Sequence, residues 1–208
     1  AIPRLEPTID VGIVLAEDSI TQLEVVCPPQ EQTHLMLPDE QAIASTPATT
    51  LQFGALEDNR ITIIVGSDRF EANEAILRPD QHVSATPEHG ILVKQVIAGR
   101  SFHWRKRIDV LLPGKVIVRC REGRLLVTNR LDFEDYVACV ATSEMSAACP
   151  EALIQAQTIA ARSWMLANVE HKHRSQQIDV CNDDCCQRYQ GATFLTDNSV
   201  QGTATTRG

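Results

Sequence analysis

Short runs of branched aliphatic residues fill the first 130 residues of the chain. Turn-forming residues bound these runs, which read IDVGIVL, TQLEVVC, RITIIVG, GILVKQV, KVIVRC and RLLVTN. Branched side chains pack well on a pleated sheet, and Gly, Pro, Asp or Asn commonly end strands. The pattern therefore predicts a β-rich region, with a hairpin where REG, containing Gly123, joins the last two runs. The stretches TPATTLQFGALEDN and RPDQHVSATPEHG are predicted to be loops.

The composition changes near Leu131 and predicts helices beyond it. Asp132 suits the N-cap of a short helix that reaches about Val140, and we expect a loop, ATSEMSAAC, to follow. Pro150 suits the start of a longer helix that runs to about Glu170. Strands followed by helices make the expected fold class α+β.

Charge and composition exclude several classes of function. The net charge of -8 argues against binding to nucleic acid or to an anionic membrane surface, since both reward clustered Lys and Arg. No apolar run reaches the roughly 18 residues that a membrane span needs. The chain opens AIPRLEP, so we expect a signal peptide to be absent or already removed. The seven cysteines cannot all pair internally, and Cys27 and Cys120 are predicted to be core residues.

Glu144 is an isolated acid in an apolar run, with no basic residue between Tyr136 and Gln157. Burial disfavours the charged form of a carboxyl group and so raises its pKa. An acid that is neutral near pH 7 can donate a proton to a leaving group. The alternative interpretation is an exposed loop glutamate.

The longer helix carries two patterned faces. Gln155, Thr158 and Arg162 share one face by spacings of three and four, which indicates either a solvated polar face or a face directed at Glu144. Small residues share a second stripe, where another backbone could approach closely. Its members are Ala152, Ala156, Ala160, Ser163 and Ala167.

Cys181, Cys185 and Cys186 lie within six residues of one another. With an imidazole from His173, or from His171 as the runner-up, they would complete a tetrahedral zinc site. Disulfides in an oxidising compartment and an iron–sulfur cluster with a fourth thiolate are the alternatives.

Two further cysteines, Cys139 and Cys149, flank Glu144 by five residues on each side. A disulfide between them would close the Glu144 loop, and we state this as a hypothesis. A nucleophilic cysteine is a weaker interpretation, because no base with an orienting partner is recognisable near any of the thiols.

Three ordered stretches carry a family resemblance: DFEDYVACVATSEM, CPEALIQAQTIAARSWMLAN and IDVCNDDCCQRYQG. They resemble the stage II sporulation protein D family, which includes amidase-enhancer-like proteins, most strongly over residues 100–208. The resemblance implies a lytic transglycosylase, a lyase that cleaves the MurNAc–GlcNAc bond of peptidoglycan and leaves 1,6-anhydro-MurNAc ends.

The resemblance also implies roles for particular residues. Glu144 matches the catalytic acid/base, which needs no second carboxylate because the sugar's own 6-hydroxyl attacks the anomeric carbon. Arg162, Gln155 and Tyr189 are the implied substrate-binding residues. A structural zinc ion is implied, and its implied ligands are Cys181, Cys185, Cys186 and His173.

The organisation implied is a β-rich N-terminal region at residues 1–98 and a catalytic core at 99–208 with a metal-stapled loop. The core is expected to lack a C-terminal continuation. We expect an extracytoplasmic protein, in the periplasm, cell envelope or medium, whose partners are peptidoglycan glycan strands and a cell-wall amidase or other envelope protein. The rival functions are a non-catalytic glycan-binding or amidase-activating protein and a metal- or redox-responsive protein.

Overall fold

A computed structural model describes residues 6–29, 32–38, 42–44, 49–80, 84–146, 148–168 and 172–207. The strands are β1 Thr8–Val14, β2 Gln22–Val26, β3 Thr33–Met36, β4 Ala42–Ala44, β5 Thr50–Ala55, β6 Ile61–Val65, β7 Asp68–Ala72, β8 Glu74–Pro79, β9 Ile91–Ala98, β10 Lys106–Leu112, β11 Lys115–Arg121, β12 Arg124–Asp132 and β13 Val180–Cys181. The α-helices are α1 Phe133–Glu144, α2 Glu151–Ala167 and α3 Asp197–Thr205. The α+β class is confirmed.

The strands form two sheets around one core. The first sheet has the order β13-β1-β12-β11-β8-β3-β4, and the second has the order β10-β9-β2-β5-β6-β7. Neighbouring strands are antiparallel except for β1 and β13, which are parallel. Val11 and Val118 of the first sheet and Val25 and Ile63 of the second are fully buried in one hydrophobic cluster. The inward-facing residues of both sheets therefore make a single sandwich core.

The predicted division at residue 98 does not divide this fold. β9 ends at Ala98 and pairs along its length with β10, so the boundary falls inside a hairpin. The N-terminal strand β1 pairs with β12, where Ile9 lies opposite Leu131. Both sheets thus take strands from both sides of the boundary. Composition could not reveal this, because it does not show which distant strands pair.

Each of the six predicted runs forms a strand. The hairpin of β11 and β12 turns through Glu122 and Gly123, whose φ angles are 52° and 69°. Cys27 and Cys120 are buried, as predicted. The prediction of a loop over TPATTLQFGALEDN was wrong, because Leu51 and Phe53 alternate with exposed residues to make β5. The stretch predicted as the second loop begins inside β8, since Arg78 and Pro79 belong to that strand. Residues 84–90 have no regular structure, and 81–83 lie outside the described residues.

Helix α1 is one turn longer than the sequence predicted. Thr142 and Ser143, expected in a loop, are helical, and both hydroxyls donate to the Cys139 carbonyl oxygen at 3.3 and 2.7 Å. These bonds satisfy two buried hydroxyls without ending the helix. Glu144 is therefore the last residue of a helix and not part of a loop.

Helix α2 begins at Glu151 after Pro150, as predicted, and ends at Ala167, a little before the predicted end. Its buried residues are Ile154, Thr158 and Ala161. The small-residue stripe is exposed along its whole length, so no backbone of the described residues approaches it closely. The expectation of close packing at that stripe was wrong.

Gly191 provides the first testable prediction. Its φ is +56°, and a Cβ there would lie 2.1 Å from the carbonyl oxygen of Leu111 on β10. Gly66 has a similar φ of +61°, but a Cβ there would meet open space. Gly191→Ala should lower the free energy of unfolding by about 3 kcal/mol or more, and Gly66→Ala by about 1 kcal/mol, as measured by urea denaturation. Equal losses in the two variants would contradict the close approach of residue 191 to β10.

Candidate active site and cysteine–histidine cluster

Glu144 is half-buried at the C-terminal end of α1. Its Oε1 accepts a hydrogen bond of 2.8 Å from the backbone N–H of Arg188. Among the described residues, none donates to Oε2. One carboxylate oxygen is thus fixed by the protein backbone.

The end of α1 is docked onto residues 188–190 by two successive residues. The Ser143 hydroxyl accepts from the backbone N–H of Gln190 at 3.0 Å, beside the bond from Arg188 to Glu144. A polar backbone group therefore contacts the carboxylate that the sequence places in an apolar run. The alternative interpretation as an exposed loop residue was wrong.

Arg188 connects Glu144 to an aromatic ring. Its guanidinium pairs with the Asp184 carboxylate through contacts of 3.2 and 3.4 Å. Its Cζ atom lies 4.7 Å from the centroid of the Trp104 ring, a cation–π contact. Sequence reasoning missed both Arg188 and Trp104. The only signal was the position of Arg188 inside the third motif, since Trp104 lies more than 80 residues away in sequence.

Four side chains converge to form a cysteine–histidine cluster: His173, Cys181, Cys185 and Cys186. Their ligand atoms all lie within 4.8 Å of one another. The Cys181 and Cys185 sulfurs are 3.1 Å apart, and the Cys185 sulfur is 3.8 Å from His173 Nε2. A tetrahedral zinc ion sets such atoms roughly 3.5–3.8 Å apart, so the donor set and spacing suit this ion. The runner-up, His171, lies outside the described residues.

Strand pairing and local charge prepare the cluster for a cation. Cys181 lies on β13, opposite Gly12 of β1. A hydrogen bond from the Cys181 thiol, aided by the charge of His173, lowers the pKa of Cys186, whereas the same bond and burial raise the pKa of Cys181. The thiolate is the form of cysteine that binds metal.

Arg100 anchors the segment that carries the cluster. Its guanidinium donates to the Asp18 carboxylate at 2.7 Å, to Asn182 Oδ1 at 2.6 Å and to the Ile13 carbonyl oxygen at 3.0 Å. Its backbone N–H donates to Asp183 at 2.7 Å. These bonds join β1, the 3₁₀ turn at Ala16–Asp18 and residues 182–183.

Arg162 lies at the other end of α1. Its guanidinium binds both carboxylate oxygens of Glu134 at 2.9 and 2.7 Å and donates to the carbonyl oxygens of Thr206 and Thr203. Glu134 precedes Glu144 by ten residues of helix, or about 15 Å. The alternative in which Arg162 is directed at Glu144 is not observed, because its bonds join the start of α1 to α3.

Gln155 belongs to the contact between α2 and α3. Its amide donates to Glu151 at 2.9 Å and to the Thr205 hydroxyl at 3.4 Å, and Thr158 bonds the Thr206 hydroxyl at 2.9 Å. The face that carries Gln155, Thr158 and Arg162 therefore packs on α3 and its C-terminal end. It is neither a solvated face nor a face directed at Glu144.

Tyr189 is a core residue. Its side chain is fully buried, its hydroxyl donates to Asn129 Oδ1 at 2.6 Å, and its ring stacks on Tyr136 at 5.5 Å. The expectation that Tyr189 binds substrate was wrong for this structure, because neither its hydroxyl nor its ring reaches the surface. A sequence motif identifies such a residue but does not distinguish a packing role from a binding role.

The proposed Cys139–Cys149 disulfide is not formed. Both cysteines are free, and Cys139 is fully buried within α1, where desolvation raises its pKa. The bonds of Ser143 and Glu144 to residues 188–190 hold the acid in place without that crosslink.

A cavity of about 380 Å³ lies elsewhere, near the N-terminal end of α1. Its lining includes Arg78, His89, Lys115 and Asp135 but neither Glu144 nor any residue of the cysteine–histidine cluster. This cavity is therefore separate from the site that the motifs predict.

Comparison with known families agrees with the motifs. Residues 121–208 match the family model described as SpoIID, stage II sporulation protein. This segment belongs to the SpoIID family. The resemblance found in the sequence is thus confirmed over this segment, which contains Glu144 and the whole cysteine–histidine cluster. The match relates this segment to a family of cell-wall-related sporulation proteins.

No curated protein and no solved structure matches the chain. None of the helices in the described residues has the length and apolar character to cross a membrane.

The contact between Arg162 and Glu134 provides the second prediction. Both side chains are less than a fifth exposed, so removing either leaves a poorly solvated charge. Arg162→Ala should lower the free energy of unfolding by about 2 kcal/mol. A double-mutant cycle with Glu134→Ala should give a coupling energy of about 1–2 kcal/mol. Additive effects in that cycle would contradict a structural pairing of these residues.

Proposed function

We propose that this protein is an extracytoplasmic lytic transglycosylase that cleaves the MurNAc–GlcNAc bonds of peptidoglycan glycan strands. The observation that carries the proposal is the geometry of Glu144. It is a half-buried acid in the SpoIID segment, with Oε1 bound to the Arg188 N–H and Oε2 without a donor in the described part of the chain.

A single carboxyl group suffices for this reaction. Protonated Glu144 gives its proton to the glycosidic oxygen, and the bond from that oxygen to the anomeric carbon of MurNAc breaks. The resulting carboxylate takes the proton of the MurNAc 6-hydroxyl, whose oxygen then bonds to the anomeric carbon. The products are a free GlcNAc hydroxyl and a 1,6-anhydro ring, and no water is consumed. The Arg188 N–H keeps the carboxyl oriented in both steps.

We also propose that the cysteine–histidine cluster holds a structural zinc ion. Three sulfurs and one imidazole nitrogen would supply all four ligands of a structural zinc site, which would leave no position for a reacting water molecule. When bound, the ion would crosslink residue 173 to residues 181–186. The same segment continues into the backbone that binds Glu144 and Ser143. The cluster would thus support the acid without taking part in the chemistry.

Replacement of Glu144 tests the catalytic role. Glu144→Gln keeps the size and the hydrogen-bond acceptor of the side chain but removes its acid, so cleavage should fall by at least about 10³-fold while folding is preserved. The measurement is digestion of purified peptidoglycan and of peptide-stripped glycan strands, with products identified by mass spectrometry. The wild-type products should end in 1,6-anhydro-MurNAc.

Glu151→Gln is the matched control, because Glu151 is an exposed acid at the start of α2. It should cleave as fast as the wild type. Equal cleavage by the Glu144→Gln variant would refute the role of Glu144. A folded wild-type protein that binds strands without cleaving them would make it a glycan-binding module instead.

Metal removal tests the zinc proposal. The binding free energy of a structural metal contributes directly to folding. A strong chelator should therefore lower Tm by roughly 10 °C or more, and Cys186→Ala should prevent stoichiometric zinc binding as measured by elemental analysis. Cys149→Ala is the control, because Cys149 is a free cysteine outside the cluster. An unchanged Tm in the chelator, with no zinc in the purified protein, would refute the proposal.

A further inference from the structure

The seven residues that connect β9 to β10, 99–105, carry an exposed aromatic pair. Phe102 is 44% exposed and stacks on Trp104 with ring centroids 5.6 Å apart and planes inclined by 20°. We call residues 99–105 the aromatic hairpin. An exposed phenylalanine held in place on a second ring presents a flat apolar surface to solvent.

The aromatic hairpin is fixed from several sides. The Phe102 N–H donates to the Gly99 carbonyl oxygen, and the Arg105 N–H donates to that of Phe102, both at 3.1 Å. The Trp104 ring packs so closely on Gly99 that a Cβ there would lie 2.6 Å from it. Arg100, from the same segment, is the buried anchor of residues 182–183. The position of the rings relative to the metal-binding segment is therefore set before any ligand arrives.

Arg188 places the aromatic pair beside the acid. Its backbone N–H binds Glu144, and its guanidinium lies 4.7 Å from the Trp104 centroid. The length of one arginine side chain thus separates the carboxyl group from the stacked rings. The Arg188 side chain is a third exposed, and its guanidinium is held by Asp184. Pairwise contacts thus connect Glu144, through this cation, to the stacked rings.

We propose that Phe102, supported by Trp104, is a sugar-stacking subsite for a glycan strand whose scissile bond lies at Glu144. A pyranose ring has one face of C–H groups, and these groups pack favourably on the electron-rich face of an aromatic ring. Binding there would remove the exposed face of Phe102 from water. The inference rests on the proposed function for the identity of the ligand, and it adds the residue that holds the strand away from the bond that is cut.

The test is binding of peptide-stripped glycan strands to the Glu144→Gln protein, measured by titration calorimetry without turnover. Adding Phe102→Ala should weaken binding about tenfold, and Phe102→Tyr should restore most of the affinity. The matched control is Phe194→Ala. Phe194 is 49% exposed, but it follows Thr193, whose hydroxyl binds β10 at Leu111, the end remote from the aromatic hairpin. Circular dichroism and Tm should be the same in all variants.

A second readout uses the two tryptophans of the chain. In a Glu144→Gln protein that also carries Trp164→Phe, Trp104 is the sole tryptophan, and saturating glycan should change its emission. Trp164 lies on α2 and is 38% exposed. Emission that is unchanged at saturation would overturn the subsite.

The outcomes separate the two proposals. Strand binding that is equally tight with Phe102→Ala would overturn the stacking subsite and leave the catalytic proposal intact. Absence of strand binding by the folded Glu144→Gln protein would count against both. If Phe102→Ala binds strands tenfold more weakly but the wild-type protein does not cleave them, the subsite would stand and the proposed reaction would be rejected.

Discussion

The buried guanidinium of Arg100 is the interaction on which the site depends. Its side chain is 9% exposed, and those of Asp18 and Asp183 are 2% and 9% exposed. Charges so far from water are tolerated only when their hydrogen-bonding groups are satisfied, and here two carboxylates, an amide and a carbonyl surround one cation. This network fastens the segment after β13 to the sandwich. Because Arg100 itself belongs to the aromatic hairpin, the same residue fixes the stacked rings.

The position of the acid follows from this anchoring through a chain of backbone contacts. Residues 181–186 form the cluster, the next residues reach the end of α1, and there Arg188 and Gln190 bind Glu144 and Ser143. An acid catalyst must be held to within about half an ångström of the bond that it protonates. In the proposed function, a zinc-binding segment that ends at the carboxylate would provide that rigidity without a metal ion in the reaction. The group proposed to do the chemistry would then be distinct from the groups that hold it.

The sequence predicted which neighbouring residues come together better than which distant elements they contact. Cys181, Cys185, Cys186 and His173 converge as expected, because three of them are neighbours in sequence and thiolates at such spacing favour one ion. Arg162 and Tyr189 belong to the same motifs, yet they pack α1, α2, α3 and the core. Periodicity reveals which residues share a face, but not which element covers it. The predicted boundary at residue 98 likewise separates strands that pair, because β1 pairs with a strand more than 110 residues later.

The carboxylates near Glu144 also bear on the kind of cleavage. Hydrolysis of a glycoside commonly needs a second carboxylate, either to activate water or to attack the sugar. Asp184 is the acid connected to Glu144 through Arg188, and both its oxygens bind that guanidinium. To serve as a base or nucleophile, it would have to leave the cation that also lies over Trp104. Since a 1,6-anhydro product requires only one acid and the sugar's own hydroxyl, the proposed reaction would not need Asp184 to leave this cation.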